Sequence, residues 1–317
     1  MLVEKASLSG TTIAVLGGGG FIGTHLVNGL LDRGAQVRVY EREPVAQYRA
    51  GAVVPVTGNF VDGSGLDAAL AGADVVYHLI STTVPGTSNI DPVGDVQSNL
   101  VGTIRLVQKM KKHQVKRIVY LSSGGTVYGD PSRLPVSEDH PLDPLCSYGI
   151  VKVAVEKYLN MYSVLEGLTA TVLRVSNPYG GMARRTNDLQ GVIPIFLRKM
   201  VAGKSIEIWG DGSTVRDYIY IDDLIDAMVC ALEAQGSAVY NIGSGVGHSL
   251  NEVLAILSEV TGIEPRVGYS VPRGFDVTRI VLDVSRAREA LGWQPRTTLY
   301  EGCNRYWGML RMQMAGA

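Results

Sequence analysis

Short apolar runs alternate along this chain with longer stretches whose apolar residues recur every three or four positions. The runs Ile13–Leu16, Gln36–Tyr40, Val53–Val56, Val75–Ile80, Arg117–Ser122 and Ala170–Val175 are rich in Val and Ile. Their shortness and apolar density predict strands buried on both faces. Between them, Phe21–Leu31 carries Phe21, Ile22, Leu26, Val27, Leu30 and Leu31, and Asn99–His113 carries Leu100, Ile104, Val107 and Met110. Ser147–Glu166 carries Ile150, Val153, Ala154, Tyr158, Met161 and Leu165. That spacing predicts amphipathic helices. Strand and helix in alternation imply the α/β class, a doubly wound parallel sheet with helices on both faces. Ligands of such sheets gather at the carboxyl ends of the strands. The polar clusters Gly17–Gly20, Glu41, Ser81–Thr83, Ser122–Thr126 and Ser176–Gly180 each follow a predicted strand.

After Tyr179 the pattern changes. Helical stretches at Asp188–Ala202, Asp222–Ala234, Ser249–Thr261 and Val284–Leu291 are separated by short strand-like runs and Gly- or Pro-containing turns. The expected division is a sheet domain over residues 11–178 and a smaller α/β lobe over 179–317, some segments of which return to the sheet.

The first turn carries specific chemistry. In "TIAVLGGGGFIG" (Thr12–Gly23) a predicted strand runs into glycines at 17, 18, 19, 20 and 23 and then into a predicted helix. That order is the dinucleotide-binding fingerprint. Gly17 and its neighbours allow a tight turn, and Gly20 lets a pyrophosphate approach the free N–H groups at the helix start, beside Phe21 and Ile22. Gly23 lets the helix lie close to the strand. Glu41 ends the second strand, eighteen residues after Gly23. A carboxylate there suits the ribose hydroxyls of NAD and repels the 2′-phosphate of NADP. Arg42 alongside suits that phosphate instead, so NAD is preferred on balance.

Composition narrows the field. The chain has 317 residues, 46% of them hydrophobic, enough for a large core without staples. Net charge is −1, and the densest basic stretch, Lys109–Lys112 with His113, Lys116 and Arg117, closes a predicted helix. Cations belong at helix ends, so no nucleic-acid partner is expected. Cys146, Cys230 and Cys303 are far apart and show no metal spacing, which predicts no metal site and a reducing compartment. No run of eighteen apolar residues and no signal-peptide core is present. A soluble, cytoplasmic protein without membrane partners is the expectation, with Met1–Gly10 a short leader.

One further pair stands out. Tyr148 and Lys152 lie four residues apart on a predicted helix, hence on one face. Of the fifteen tyrosines, only Tyr148 has a lysine at that spacing. A phenol serves as a general base only when its pKa is brought down from about 10, and a fixed cation favours the phenolate.

Gly17-x-x-Gly20-x-x-Gly23 with Tyr148-x-x-x-Lys152 resembles the extended short-chain dehydrogenase/reductase family. The likeness extends over roughly residues 11–310 through "SSGGTVYGD" (Ser122–Asp130), "SNPYG" (Ser176–Gly180), "GDGSTVRDYIYIDDL" (Gly210–Leu224), "YNIGSG" (Tyr240–Gly245) and "LGWQP" (Leu291–Pro295). More narrowly, these motifs resemble NAD-dependent nucleotide-sugar epimerases of the UDP-galactose 4-epimerase type. The resemblance implies a Rossmann-like sheet with a C-terminal lobe for a UDP-sugar. It implies a reaction in which retained NAD accepts the C4 hydride and returns it to the opposite face of a transient 4-keto sugar. Tyr148 would take the 4-hydroxyl proton, and Lys152 would hold the nicotinamide ribose and depress the tyrosine.

Other roles follow from the same resemblance. Asn99 in "NLVGT", Ser122, Leu79, Asn59 and Phe60 would border the cofactor, with Asn59 in the slot of an acid that faces adenine. Thr82 and Thr83 would line the nicotinamide or the sugar. Asn177, Arg216 and Arg273 would bind the diphosphate, Asp276 a uridine ribose hydroxyl, and Val192 and Trp209 the uracil. Ile280 falls at a position bearing on the size of the sugar pocket. An intermediate side chain there suits glucose and galactose and leaves N-acetyl forms open, with uronic acids unassigned. The Asn99–His113 and Ser147–Glu166 helices would pair in a homodimer.

The departure is Gly124, where the family carries the Ser or Thr that bridges tyrosine and sugar. Strand alternation favours Thr126 as the substitute, with Ser123, Ser122 or a water in reserve. Gly125 and Thr126 fill the slots of the Asp-Glu pair that sugar 4,6-dehydratases need, which argues against dehydration. Two alternatives to epimerisation remain: a nucleotide-sugar 4-ketoreductase, favoured by Arg42, and a catalytically silent NAD-binding sensor or scaffold, favoured by Gly124.

Overall fold

The computed structural model describes residues 7–43, 48, 53–181, 191–271 and 277–315. Its frame is one seven-stranded sheet. In chain order the first half contains β1 (Thr12–Leu16), α1 (Phe21–Leu31), β2 (Gln36–Glu41), β3 (Val53–Thr57), α2 (Leu66–Leu70), β4 (Val75–His78), α3 (Pro92–Asp95), a π-helical turn (Val96–Val101), α4 (Gly102–Lys112), β5 (Arg117–Ser123), α5 (Ser147–Glu166) and β6 (Thr169–Val175). The second half contains β7 (Asn177–Tyr179), α6 (Val192–Val201), β8 (Ile206–Trp209), β9 (Val215–Tyr220), α7 (Ile221–Cys230), β10 (Ala238–Ile242), β11 (Gly247–Ser249), α8 (Leu250–Thr261), β12 (Val267–Ser270), α9 (Ser285–Leu291) and α10 (Leu299–Ala315).

The large sheet runs β10-β6-β5-β4-β1-β2-β3, every pair parallel. Strand order reverses at β1, which opens a crevice between the carboxyl ends of β1 and β4. Side-chain alternation splits the core between the two faces. Ile13, Val15, Val119 and Leu121 join one buried cluster, and Ala14, Leu16, Ile118 and Tyr120 join the other. β10, from the second half, lies beside β6, while β11-β9-β7 and β12-β8 form small sheets of their own. A third buried cluster, Val127, Tyr128, Val136, Ile280 and Leu282, fills the space behind the end of β5.

Local chemistry sets the boundaries. α8 begins with a capping box in which the Ser249 hydroxyl accepts from the Glu252 N–H and the Glu252 carboxylate accepts from the Ser249 N–H. α5 ends at Gly167, which takes the left-handed conformation (φ 70°). The expected helix over Asn99–His113 starts earlier than its periodicity suggests, in the π-helical turn that carries Ser98 and Asn99. Such a widened turn is frequent at functional sites. The expected helix at Asp188–Ala202 is α6 from Val192 onward, and residues 188–190 lie outside the described residues.

Candidate active site

The glycine turn after β1 is shaped for a ligand rather than for the protein alone. Gly17 has φ 88°, and a Cβ there would press on the Ile80 backbone nitrogen at 3.2 Å. A Cβ on Gly23 would lie 2.1 Å from the Gly17 carbonyl oxygen, so only glycine lets α1 come this close to the strand. Gly20 differs. It is the N-cap of α1, and a Cβ there would meet only the Gly17 oxygen at 3.6 Å. Nothing in the protein itself demands glycine there, but a diphosphate lying across the helix start does. The N–H of Gly19 donates to Glu41 Oε1 at 2.7 Å, which places the carboxylate at the end of β2 beside the turn. Arg42 next to it is exposed. Phe21 and Ile22 are half-buried at the helix start, and Leu79 and Phe60 pack into the core. Asn59 is exposed, and its amide oxygen accepts the Val61 N–H at 3.1 Å. The oxygen expected to meet adenine is therefore engaged in its own turn.

Tyr148, Lys152, His78, Asp95, Asn99 and Tyr120 line one small cavity over the ends of β4 and β5. The Lys152 ammonium is buried, donates to the Leu121 carbonyl at 2.7 Å, and stands 4.8 Å from the Tyr120 ring centre and 5.4 Å from that of Tyr148. Burial pulls its pKa down to about 8, against the opposing pull of Glu156 and Asp95. The Tyr148 phenol moves opposite to expectation. Burial pushes it up to about 12, with Cys146 and Asp95 adding to the rise, and only the Ser123 hydroxyl, within hydrogen-bonding reach, favours the phenolate. The larger influences on the phenol are thus its burial and the Ser123 hydroxyl.

The three hydroxyl candidates separate cleanly. β5 ends at Ser123 and the chain turns, the Val127 N–H returning to the Ser123 carbonyl at 3.2 Å. The strand geometry that favoured Thr126 does not persist. Its Oγ1 is buried without a hydrogen-bond partner. Ser122 donates to buried Glu156, away from Tyr148. Of the three, Ser123 is the one whose hydroxyl favours the Tyr148 phenolate. A Cβ on Gly124 would lie 2.6 Å from Leu282 Cδ1 and 3.0 Å from the Arg174 carbonyl, so a side chain there would run into the third cluster.

Asn99 is buried, with its amide spent inside the protein: Oδ1 accepts from the Thr82 N–H at 3.0 Å and Nδ2 donates to Asp95 Oδ1 at 2.8 Å. Thr83 donates to the same Asp95 oxygen at 2.8 Å, and Thr82 pairs with Ser98 at 2.6 Å. These threonines are tied to the helix rather than pointing freely outward.

On the lobe side, Asn177 donates to the Asp217 carbonyl at 2.9 Å, and half-buried Arg216 donates to the Val215 carbonyl. Val192 begins α6, and Trp209 is half exposed at the end of β8. Ile280 is 1% exposed within the third cluster. It backs the site as core instead of lining an open pocket. Arg273 and Asp276 lie outside the described residues.

Sequence reasoning passed over several residues. Like Oγ1 of Thr126, His78 Nδ1 and the Ser176 hydroxyl are buried without a hydrogen-bond partner, at the ends of β4 and β6. Buried polar atoms of this kind call for a partner that the protein's own groups do not supply. Burial, reinforced by the Lys152 charge, pulls His78 down to about 3, so the ring is neutral. Asp95 is fully buried. Its only sequence signal is the i, i+4 spacing to Asn99. Among the described residues no cluster suited to a metal ion occurs and no helix is long and apolar enough to cross a membrane.

A sequence model of the NAD dependent epimerase/dehydratase family matches residues 13–243. The chain is 37% identical over 299 residues to a UDP-glucose 4-epimerase of Mycolicibacterium smegmatis, covering 91% of this chain and 95% of that protein. It is similar to the crystal structure of UDP-glucose 4-epimerase from Thermotoga maritima with UDP-glucose, with a TM-score of 0.88 and 33% identity over 96% of this chain and 100% of that one. It is also similar to MoeE5 in complex with UDP-glucuronic acid and NAD, with a TM-score of 0.87 and 31% identity over 96% and 100% of the two chains.

Proposed function

From the membership of this chain in the NAD-dependent epimerase/dehydratase family, we propose that it is an NAD-dependent UDP-hexose 4-epimerase. The observation that carries the reading is the convergence of Tyr148, Ser123 and Lys152 beside a glycine turn with room for a diphosphate. The similar structures with UDP-glucose, and with UDP-glucuronic acid and NAD, support the choice of ligands.

The turn from Gly17 to Gly23 and the Glu41 carboxylate would hold the adenosine diphosphate end, with Lys152 on the nicotinamide ribose. Bound there, NAD in its oxidised form would supply a hydride acceptor for C4 and a positive charge. Tyr148 removes the 4-hydroxyl proton and returns it after the sugar has turned. Ser123 donates to the Tyr148 phenolate and accepts from the sugar 4-hydroxyl, bridging the two, the role that Gly124 cannot fill. Asn177, Arg216 and Arg273 bind the diphosphate, the planar guanidinium forks pairing two oxygens at once. Val192, Trp209 and Asp276 receive the uridine. The protein works in the cytoplasm as a homodimer.

The test is proton NMR of the purified protein with UDP-glucose, UDP-N-acetylglucosamine or UDP-glucuronate and no added cofactor. Interconversion of C4 epimers is expected, and Tyr148→Phe should abolish it while NAD stays bound. Turnover only with added NADPH and a keto-sugar would mark a 4-ketoreductase instead, the reading that Arg42 favours. Silence with every substrate, NAD still bound, would leave a binding protein.

A further inference from the structure

α5 carries both Tyr148 and Lys152, yet its own sequence supplies no cap: the Cys146 side chain bonds no backbone N–H. The helix start is held from a distant segment. The Ser147 N–H donates to Asn89 Oδ1 at 2.9 Å, and the Ser147 hydroxyl donates to Asp95 Oδ2 at 2.7 Å. The other Asp95 oxygen accepts from Thr83 and from Asn99, each at 2.8 Å. One carboxylate thus ties together the loop after β4, the π-helical turn and the first turn of the catalytic helix. Asp95 is 1% exposed, touches no position expected to hold substrate diphosphate or adenosine, and lines the cavity shared by Tyr148 and Lys152.

We propose that Asp95 is a positioning residue for epimerisation: through Ser147 it fixes where Tyr148 stands, and its buried negative charge sets the pH window in which Tyr148 and Lys152 work together. The inference rests on the function proposed above. Three full acceptor contacts on a buried carboxylate amount to a rigid joint, and an error of about 1 Å in placing a reacting group costs on the order of 10²-fold in rate.

The sign of the charge effect follows from what faces the pair. Lys152 meets Glu156 from its own helix, Asp95 from the π-helical side, Tyr120 from β5 and neutral His78 from β4. The Tyr148 phenol feels Ser123, Cys146, Asp95 and Tyr120. Asp95 favours the protonated form of both groups: it holds Lys152 cationic to higher pH and delays ionisation of Tyr148. Catalysis needs phenolate and ammonium together, and because the phenol titrates above the ammonium, the acid limb of the profile falls at the lysine and the alkaline limb at the tyrosine. Removing the charge moves both limbs to lower pH.

The experiment compares wild type, Asp95→Asn and Ser147→Ala as NAD-loaded protein. In Asp95→Asn, kcat should fall about 10²-fold with KM nearly unchanged, and both limbs should move down in pH. Ser147→Ala keeps the charge and loses one tether, so kcat should fall while the limbs stay. Tyrosinate ultraviolet absorbance, taken as the difference between each protein and its own Tyr148→Phe partner, reads the Tyr148 titration without any sugar. It should shift to lower pH in Asp95→Asn even if the sugar reaction turns out to be another one. Unmoved limbs with an unmoved Tyr148 titration, or a lowered melting temperature with kcat intact in both variants, would overturn the proposal. Should Asp95→Asn fail to fold, an unchanged kcat in Ser147→Ala overturns it alone.

Discussion

Ser123, Gly124 and Thr126 lie within four positions, yet face three different surroundings. Ser123 ends β5 beside the Tyr148 phenol, Gly124 presses on Leu282, and Thr126 turns a buried hydroxyl away from any protein partner. Ser123→Ala should therefore lower kcat about 10²-fold, whereas Thr126→Ala should stay within about threefold of wild type. Steady-state rates on the two variants decide, and the reverse ranking would return the bridging role to Thr126. Gly124→Ser, which restores the family residue, should destabilise the fold by about 1–3 kcal/mol because Leu282 must move to admit a Cβ. Urea unfolding midpoints measure that cost, and an unchanged midpoint would mean the third cluster is looser than its packing indicates. The missing hydroxyl was legible in the sequence, but the ranking of Ser123 and Thr126 as its substitute was not. Alternation along a strand gives direction only while the strand lasts, and it was carried across Gly124 and Gly125, a pair that itself marks a turn. The turn bond of Asn59 was not legible for a related reason: a side chain that bonds its own turn two residues on has no sequence signal distinct from one aimed at a ligand.

At the scale of elements, the β–α alternation, the glycine turn and the Tyr148–Lys152 helix were legible because their apolar periods are strong. α10 was not. Its buried positions Leu299, Gly302, Cys303 and Tyr306 have helical spacing but include a glycine and a cysteine, which weaken an apolar stripe. Nor does periodicity disclose what joins elements below the site. Arg174 on β6 and Glu156 on α5 form a buried pair at 2.6 Å, each side chain 5% exposed. Glu156 also accepts from Ser122, and Arg174 donates to the Tyr128 hydroxyl at 2.9 Å, which donates to Asn241 on β10. The pair thus ties β5, α5, β6 and β10 under the catalytic residues. Breaking it leaves a buried guanidinium uncompensated. Glu156→Gln should cost about 3–5 kcal/mol in chemical denaturation, while the double replacement Glu156→Met with Arg174→Met should cost less than the single change. Equal losses in both would show that the remaining contacts of Arg174, not its charge, carry the stability.

For the whole molecule, the apolar surface left on α5 and its neighbours needs an explanation that the chain alone does not give. Ile150, Tyr158, Met161 and Leu165 follow one another at intervals of eight, three and four residues, with half-buried Ala154 between the first two. Ile150 is 55% and Leu165 72% exposed. Val93, Val96 and Val101, on the segment packed against that helix, are also exposed. The opposite face of α5 already fills the core through Val151, Val155 and Leu159, so this helix has two apolar faces and only one is buried. Contiguous apolar surface of this kind marks an interaction site. A second copy of the chain fits it by symmetry, since the same stripe on each protomer is its own complement. In the proposed homodimer two helices from each protomer would form a four-helix bundle, with Tyr148 and Lys152 on the inner side of its longest helix. Light scattering at micromolar concentration should give twice the chain mass. Met161→Asp with Leu165→Asp, placed more than two turns from Tyr148, should give the monomer by placing charges in the seam without touching the site. A wild-type monomer would refute the dimer outright. A monomeric variant that keeps wild-type kcat would show that each site works within its own chain, whereas one that loses activity while remaining folded would show that the bundle helps hold α5 in its catalytic position.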